Sequence, residues 1–395
     1  MPLRAGLNLA LACLLVAGTL LPGCSVLGPG HTETETSASE DATLATKGRD
    51  LASELSPGQL LGQRVLLSFD GTELPPVVGK RLRKGLAPGV VLFDRNYSSP
   101  AQLRQLTSQI QKATAAGPVD LPALVMVDQE GGEVRRVPGP PELSAEAMGE
   151  ALTTGEIEAQ GRLTGELLAD LGINTALAPV ADLGVRGGAL AGEGRTFAAD
   201  PEVVSDMAEA FADGLQGEGV AATAKHFPGF GSAEVNTDFG PAVIERTPSD
   251  AQRDIAPFQG LVEGGVPLMM LSTAVYPEYG AEPAALAPAV TQNLLRGELG
   301  FEGVSVTDAL DTPALAAYAP PAEVAVEALA APVDLLLYAQ STQASVDALV
   351  AGEGAVAAGA LDKAELRRAA ARILTLRLGL EDAASLGDLV EENSD

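Results

Sequence analysis

Eight short apolar runs recur along this chain between about residue 55 and residue 380: 65–69, 90–93, 123–127, 175–180, 220–224, 268–272, 304–307 and 335–338. Each is mostly β-branched or aliphatic and apolar at successive positions. A strand that is buried on both faces of a parallel sheet reads this way, because neither face meets water. Longer helix-like stretches separate the runs: 144–168, rich in Ala, Leu and Glu with Gly172 beyond it, 201–215, and a closing stretch at 363–378. Eight alternating units predict a single-domain α/β chain of the (β/α)8, TIM-type barrel class. A doubly wound open sheet is the alternative. No Gly-x-Gly-x-x-Gly follows the first run, so a dinucleotide fold has no fingerprint here.

The residues just after the runs carry the next signal. They are Asp94, Asp128, Asp182, His226, Thr273 and Asp308. In a barrel these would converge on the mouth at the strand C-termini, where such folds place their chemistry. Any one of them alone reads equally as a helix cap or a loop partner.

The chain has 395 residues, 46% of them hydrophobic, and a net charge of −28. That charge excludes nucleic-acid binding, which needs clustered Lys and Arg. The N-terminus has its own logic. Arg4 precedes an almost wholly apolar stretch at 6–22, then Leu21-Pro22-Gly23-Cys24. This reads as a signal peptide over 1–23, and the small residue before Cys resembles a bacterial lipobox with Pro22 in an unusual place. The lipobox resemblance implies cleavage before Cys24 and lipidation of its thiol; an ordinary secretory signal is the alternative. Cys13 lies in the removed segment, so the mature chain has one Cys and no internal disulfide. Residues 24–50 are rich in Thr, Ser, Glu and Ala and read as a flexible tether. The domain then spans 51–382, and 383–395 form an acidic tail. The expected location is the outer face of the cell membrane, touched only through the lipid.

Four segments carry chemistry-bearing residues. In Val127-Asp128-Gln129-Glu130-Gly131-Gly132 a carboxylate precedes two glycines that let the backbone turn beside a ligand. Asp128 can accept hydrogen bonds from two sugar hydroxyls. Arg195, in Gly194-Arg195-Thr196-Phe197, offers a planar fork of donors. Lys225 and His226 end the fifth run and offer donors to substrate oxygens. Asp308 ends the seventh, where a carboxylate could attack an anomeric carbon if a proton donor faced it. A metal site is not expected: His31 lies in the tether, so His226 is the only histidine of the folded part. No cofactor signature is present.

Taken together, the segments GVVLFDRNY (89–97), VDQEGGEVRR (127–136), LAPVADL (177–183), GRTF (194–197), KHFPGFG (225–231) and GFEGVSVTDAL (300–310) resemble the single-barrel bacterial β-N-acetylglucosaminidases of glycoside hydrolase family 3. The resemblance runs from about Gly62 to Leu380. It implies a (β/α)8 barrel and a retaining exo-glycosidase that removes terminal β-linked N-acetylglucosamine from cell-wall fragments through a covalent glycosyl-enzyme. Asp308 matches the family nucleophile. Asp128, Arg195, Lys225 and His226 match residues that grip sugar hydroxyls. A monomer acting on carbohydrate, with no cofactor, is the implied state.

One stretch departs from the family pattern. The usual K-H-F-P-G-H-G, four residues, D-S-H becomes KHFPGFG, SAEV, Asn236-Thr237-Asp238. Phe230 replaces a histidine, and Asp238 stands at the acid/base histidine. An Asp has a reference pKa of about 3.9 against about 6.5 for His. Burial beside the Asp308 carboxylate would raise it, because two like charges resist joint ionisation. Asp238 is therefore the candidate acid/base, with Glu234 on the same loop as the alternative. A catalytically weak, sugar-binding lipoprotein is the second reading.

Overall fold

The computed structural model describes residues 32–392, with side chains over 42–381. The signal segment 1–23, Cys24 and His31 lie outside the described residues. A helix occupies Thr32–Glu54, through the segment read as a flexible tether. Its reason lies in the second half, where Leu44, Gly48, Leu51, Ala52 and Leu55 are buried or half-buried at helical spacing. Gly48 approaches so closely that a Cβ there would lie 2.7 Å from the Ala371 carbonyl oxygen. The larger compact unit begins at Thr43. At the other end, the helix Lys363–Glu392 continues into the acidic tail.

Among the described residues eight strands are formed: β1 Gly89–Leu92, β2 Leu124–Val127, β3 Gln129–Gly131, β4 Val134–Arg135, β5 Thr175–Ala176, β6 Thr223–Phe227, β7 Leu268–Leu271 and β8 Val304–Thr307. They are not the eight apolar runs one for one. β3 and β4 form an unforeseen hairpin, while the first and last runs, 65–69 and 335–338, enter only as isolated bridges. Two three-stranded parallel sheets result, β1-β2-β5 and β6-β7-β8, rather than one continuous closed sheet. Isolated parallel bridges extend them: Val65 to Leu336, Leu67 to Val90, Thr175 to Ala221, Val180 to Lys225 and Val306 to Leu335.

The runs are apolar on both faces because both faces are buried, in different places. Leu66, Val91, Leu124, Met126, Leu268, Met270, Val304, Val306 and Leu335 form one buried cluster. Their neighbours Val65, Leu67, Val90, Val125, Met269 and Leu336 join the other, larger cluster beneath the helices. The period of two is that of a strand. Each fully buried Leu or Val contributes about 2 kcal/mol relative to exposure.

The helices meet this core through small residues and caps. Residues 144–168 form two helices, Ala145–Ala151 and Thr154–Asp170, rather than one. The break falls where Thr153 caps the second helix in a reciprocal box with Glu156. Thr154–Asp170 packs on Pro201–Gly217, where a Cβ on Gly161 would stand 2.3 Å from the Phe211 carbonyl oxygen. Among the described residues, no helix is long and apolar enough to cross a membrane.

Candidate active site

Asp128 follows β2, Lys225 and His226 lie in β6, and Asp308 follows β8. All four side chains line a single cavity of about 380 Å³, together with Arg195, Asp238 and Phe239. The strand C-termini and the loops that follow them thus bring together every sequence-predicted hydroxyl-binding residue, the candidate nucleophile and the first candidate acid. Glu234 is not among them: it is exposed and outside the cavity lining. Of the other residues that follow the runs, Asp94 accepts from the Arg95 backbone N–H at 2.9 Å. Thr273 is buried, its hydroxyl without a hydrogen-bond partner among the described residues.

The floor is an ion network that the sequence did not disclose. Lys225, 2% exposed, places Nζ 2.7 Å from Asp128 Oδ1 and 2.6 Å from Glu130 Oε1. Arg195 forks onto Glu130, Nε to Oε2 and Nη2 to Oε1 each at 2.8 Å, and its Nη1 reaches Glu193 Oε2 at 3.1 Å. Arg136 Nη2 stands 3.5 Å from Asp128 Oδ2. Burial pushes the Glu130 and Asp128 carboxyls up, but the facing cations outweigh it. Arg195 and Lys225 hold Glu130 well below the usual carboxylate range, and Lys225 and Arg136 hold Asp128 below it. In return, the two carboxylates raise Lys225 against its own desolvation. Asp128 and Lys225 are therefore both charged, and Lys225 has one of its three N–H bonds left for a ligand.

The β3–β4 hairpin builds this network. Gly131 (φ 108°) and Gly132 (φ 55°) take the left-handed turn, and a Cβ on Gly131 would lie 2.1 Å from the Leu143 carbonyl oxygen. The Gln129 amide clamps the hairpin, donating to the carbonyls of Val137 and Pro140 at 2.9 Å each. The hairpin carries Arg136 back to Asp128, whose carbonyl accepts the Arg136 N–H at 3.2 Å. No local sequence signal separates Arg136 from Arg135; only the hairpin register does.

Asp182 has a different place from the mouth position expected of it. It is fully buried behind His226. Its Oδ2 lies 2.7 Å from His226 Nδ1 and accepts the His226 backbone N–H at 2.9 Å, and its Oδ1 accepts the Phe230 N–H at 2.5 Å. One carboxylate therefore orients the imidazole and fixes the turn after it, leaving Nε2 as the ring nitrogen for the cavity. The Tyr276 hydroxyl donates to the Gly229 carbonyl at 3.0 Å on the same turn. Phe230 packs its ring 5.8 Å from that of His226 and forms an apolar wall.

The loop after this turn presents Asp238. The Asn236 amide donates to Glu193 at 3.2 Å, and the Asn236 side-chain oxygen accepts the Asp238 N–H at 3.0 Å. Asp238 is exposed as a residue, but partial desolvation of its carboxyl and then the Asp308 charge raise its pKa, with Arg195 and His226 opposing. Asp308 accepts the Ala309 N–H at 2.7 Å. The cavity thus places the Asp308 and Asp238 carboxyl groups together, with that of Asp238 pushed toward its protonated form. Such a pair can divide the roles of nucleophile and acid. Among the described residues, no cluster of three His, Cys, Asp or Glu is arranged to hold a metal ion.

Known proteins share this architecture. The family model for the N-terminal domain of glycosyl hydrolase family 3 matches residues 62–376. An uncharacterized secreted glycosyl hydrolase of Arthroderma benhamiae is 35% identical over 328 residues, covering 80% of this chain and 92% of that one. A beta-hexosaminidase of Nitrosospira multiformis is 35% identical over 296 residues, covering 71% and 81%. Among solved structures, a family 3 beta-N-acetylglucosaminidase from Paenibacillus superposes with a TM-score of 0.79 at 31% identity over 83% of this chain. This chain spans 63% of that longer protein. A beta-N-acetylhexosaminidase from Beutenbergia cavernae superposes with a TM-score of 0.75 at 30% identity, over 82% of this chain and 99% of that one.

Proposed function

This chain belongs to glycosyl hydrolase family 3, and from that premise we propose that it is a retaining exo-glycosidase. It removes terminal β-linked N-acetylglucosamine from glycan fragments, with Asp308 as nucleophile and Asp238 as acid/base. The eight runs act as one (β/α)8 barrel. In support, the parallel partners pass in order from residue 65 through β1, β2, β5, β6, β7 and β8 to Leu336, which bridges back to Val65.

The observation that carries the reading is the shared cavity of Asp308 and Asp238, with the Asp238 carboxyl pushed up by burial and by Asp308. In the first step Asp308 attacks the anomeric carbon. The bond to the leaving oxygen breaks as Asp238 gives that oxygen its proton. In the second, Asp238 takes a proton from water, whose oxygen attacks the same carbon and releases Asp308 as a carboxylate. Asp128, Lys225, Arg195, Arg136 and His226 Nε2 supply hydroxyl partners below. Export fits the apolar N-terminus, and lipidation at Cys24 would hold the enzyme at the envelope, where cell-wall fragments supply such substrates.

The test is covalent trapping. A 5-fluoro N-acetylglucosaminide should label a peptide containing Asp308, and Asp308→Asn should lose both labelling and turnover. Full activity in Asp308→Asn would overturn the assignment. Sugar binding without turnover by the wild type would instead favour the sugar-binding lipoprotein.

A further inference from the structure

Charge in the cavity is segregated by depth. Its cations lie inside: Lys225 is buried and Arg136 and Arg195 are half-buried, each facing a carboxylate of the floor network. Its exposed lining residues are Glu133, Glu193, Asp238 and Phe239. The mouth is therefore made of three carboxyl groups and one phenyl ring. Glu193 is already paired with Arg195 at 3.1 Å, whereas among the described residues Glu133 has no ion-pair partner.

Phe239 is 78% exposed, more than any other large hydrophobic side chain among the described residues, and it belongs to neither core cluster. An apolar ring held in water beside a polar cavity gains by being covered, and a ring offers a flat, rigid face for that contact. It directly follows Asp238, on a loop tied down by the Asn236–Glu193 contact and by the Ala314 N–H donating to the Thr237 carbonyl at 3.4 Å. Whatever covers Phe239 therefore lies beside the group assigned to protonate the leaving oxygen. That position belongs to the leaving-group sugar, not to the sugar held by the floor.

We propose that Phe239 and Glu133 form a leaving-group subsite: the ring takes the C–H-lined face of an uncharged or amine-bearing sugar, and the carboxylate disfavours a leaving group that carries a carboxylate. This specificity rests on the reading of Asp308 and Asp238 given above. It deepens that reading by naming the leaving-group class. Discrimination comes from repulsion as much as from attraction, since a second anion at the mouth meets Glu133 while the lining cations Arg136, Arg195 and Lys225 each face a carboxylate of the floor. Fragments in which the lactyl carboxyl of a muramyl sugar is amide-linked remain good substrates; those with the free acid are poor ones.

Three glycosides of N-acetylglucosamine test this: the fluoride, which has no leaving-group sugar; the β-1,4 disaccharide with N-acetylmuramic acid; and the methylamide of that disaccharide, which differs from it by one charge. Wild type should show a kcat/KM about fivefold higher for the methylamide than for the acid at low salt. The gap should shrink as salt shortens the screening length from about 30 Å at 0.01 M to about 3 Å at 1 M. Glu133→Gln should close it. Phe239→Ala should lower the disaccharide-to-fluoride ratio of kcat/KM by about tenfold. Equal rates on acid and methylamide in the wild type, or an unchanged disaccharide-to-fluoride ratio in Phe239→Ala, would overturn the subsite. Failure of the wild type to cleave the fluoride would remove the nucleophile role of Asp308, and the subsite with it.

Discussion

A carboxyl group can deliver a proton only if it still holds one when the glycosidic bond breaks. At position 238 burial and the Asp308 charge both favour the protonated form. The sign for activity follows. The acid must be protonated, so activity is lost as pH rises through the raised Asp238 pKa. The profile should lean acidic. Asp238→Asn should cut kcat/KM on a disaccharide by about 10²–10⁴-fold and remove the basic limb. A nitrophenyl glycoside, which needs little protonation, should lose much less. Equal losses on both would take the role from Asp238. Asp182 makes a separate case, for positioning. Asp182→Ala would strand the buried N–H groups of His226 and Phe230, at about 1–3 kcal/mol each. We expect a loss of about 3 kcal/mol in urea unfolding and a raised KM, because the His226 ring loses its anchor. The identities of these residues were legible in the sequence, but Asp182 and Asp128 look alike there. Each is an Asp after an apolar run; one is buried under the imidazole and the other faces the cavity.

At the scale of elements, the helix pair Thr154–Asp170 and Pro201–Gly217 shows packing overruling propensity. Alanine at position 161 would favour the helix by about 1 kcal/mol on propensity alone. Its Cβ would stand 2.3 Å from the Phe211 carbonyl oxygen, so the helices would have to part. Gly161→Ala should therefore destabilise by about 1–3 kcal/mol, read as a lower thermal midpoint. A neutral or stabilising result would mean that the contact yields without cost. The break at Leu152 was present in the sequence as Thr153-x-x-Glu156, but Ala and Leu on both sides hide a cap inside an apparently continuous helix. The β3–β4 hairpin left less trace. Its strands are three and two residues long, too short for any period to register.

Across the whole molecule, the closing helix is fastened to the start of the fold. Arg377 is fully buried and donates to Gln63 Oε1 at 2.7 Å and to the carbonyls of Leu121 and Pro122 at 2.7 and 2.8 Å. Burial lowers its guanidinium to about 9. Arg377→Met should keep the aliphatic packing but leave those acceptors unpaired, costing about 3 kcal/mol in the urea midpoint with an unchanged m-value. A loss confined to the C-terminal helix, with the rest unfolding as before, would show that the ends are not coupled. The sequence by itself determined where the buried strands run, that both their faces are covered, and which polar residues follow them. Those properties are local, set by side-chain period and burial. The tertiary structure alone decided which charges meet: Lys225 between Asp128 and Glu130, Arg195 on Glu130, His226 on Asp182. An ion pair depends on distances of a few ångströms between residues that lie far apart along the chain, and no local pattern encodes those distances.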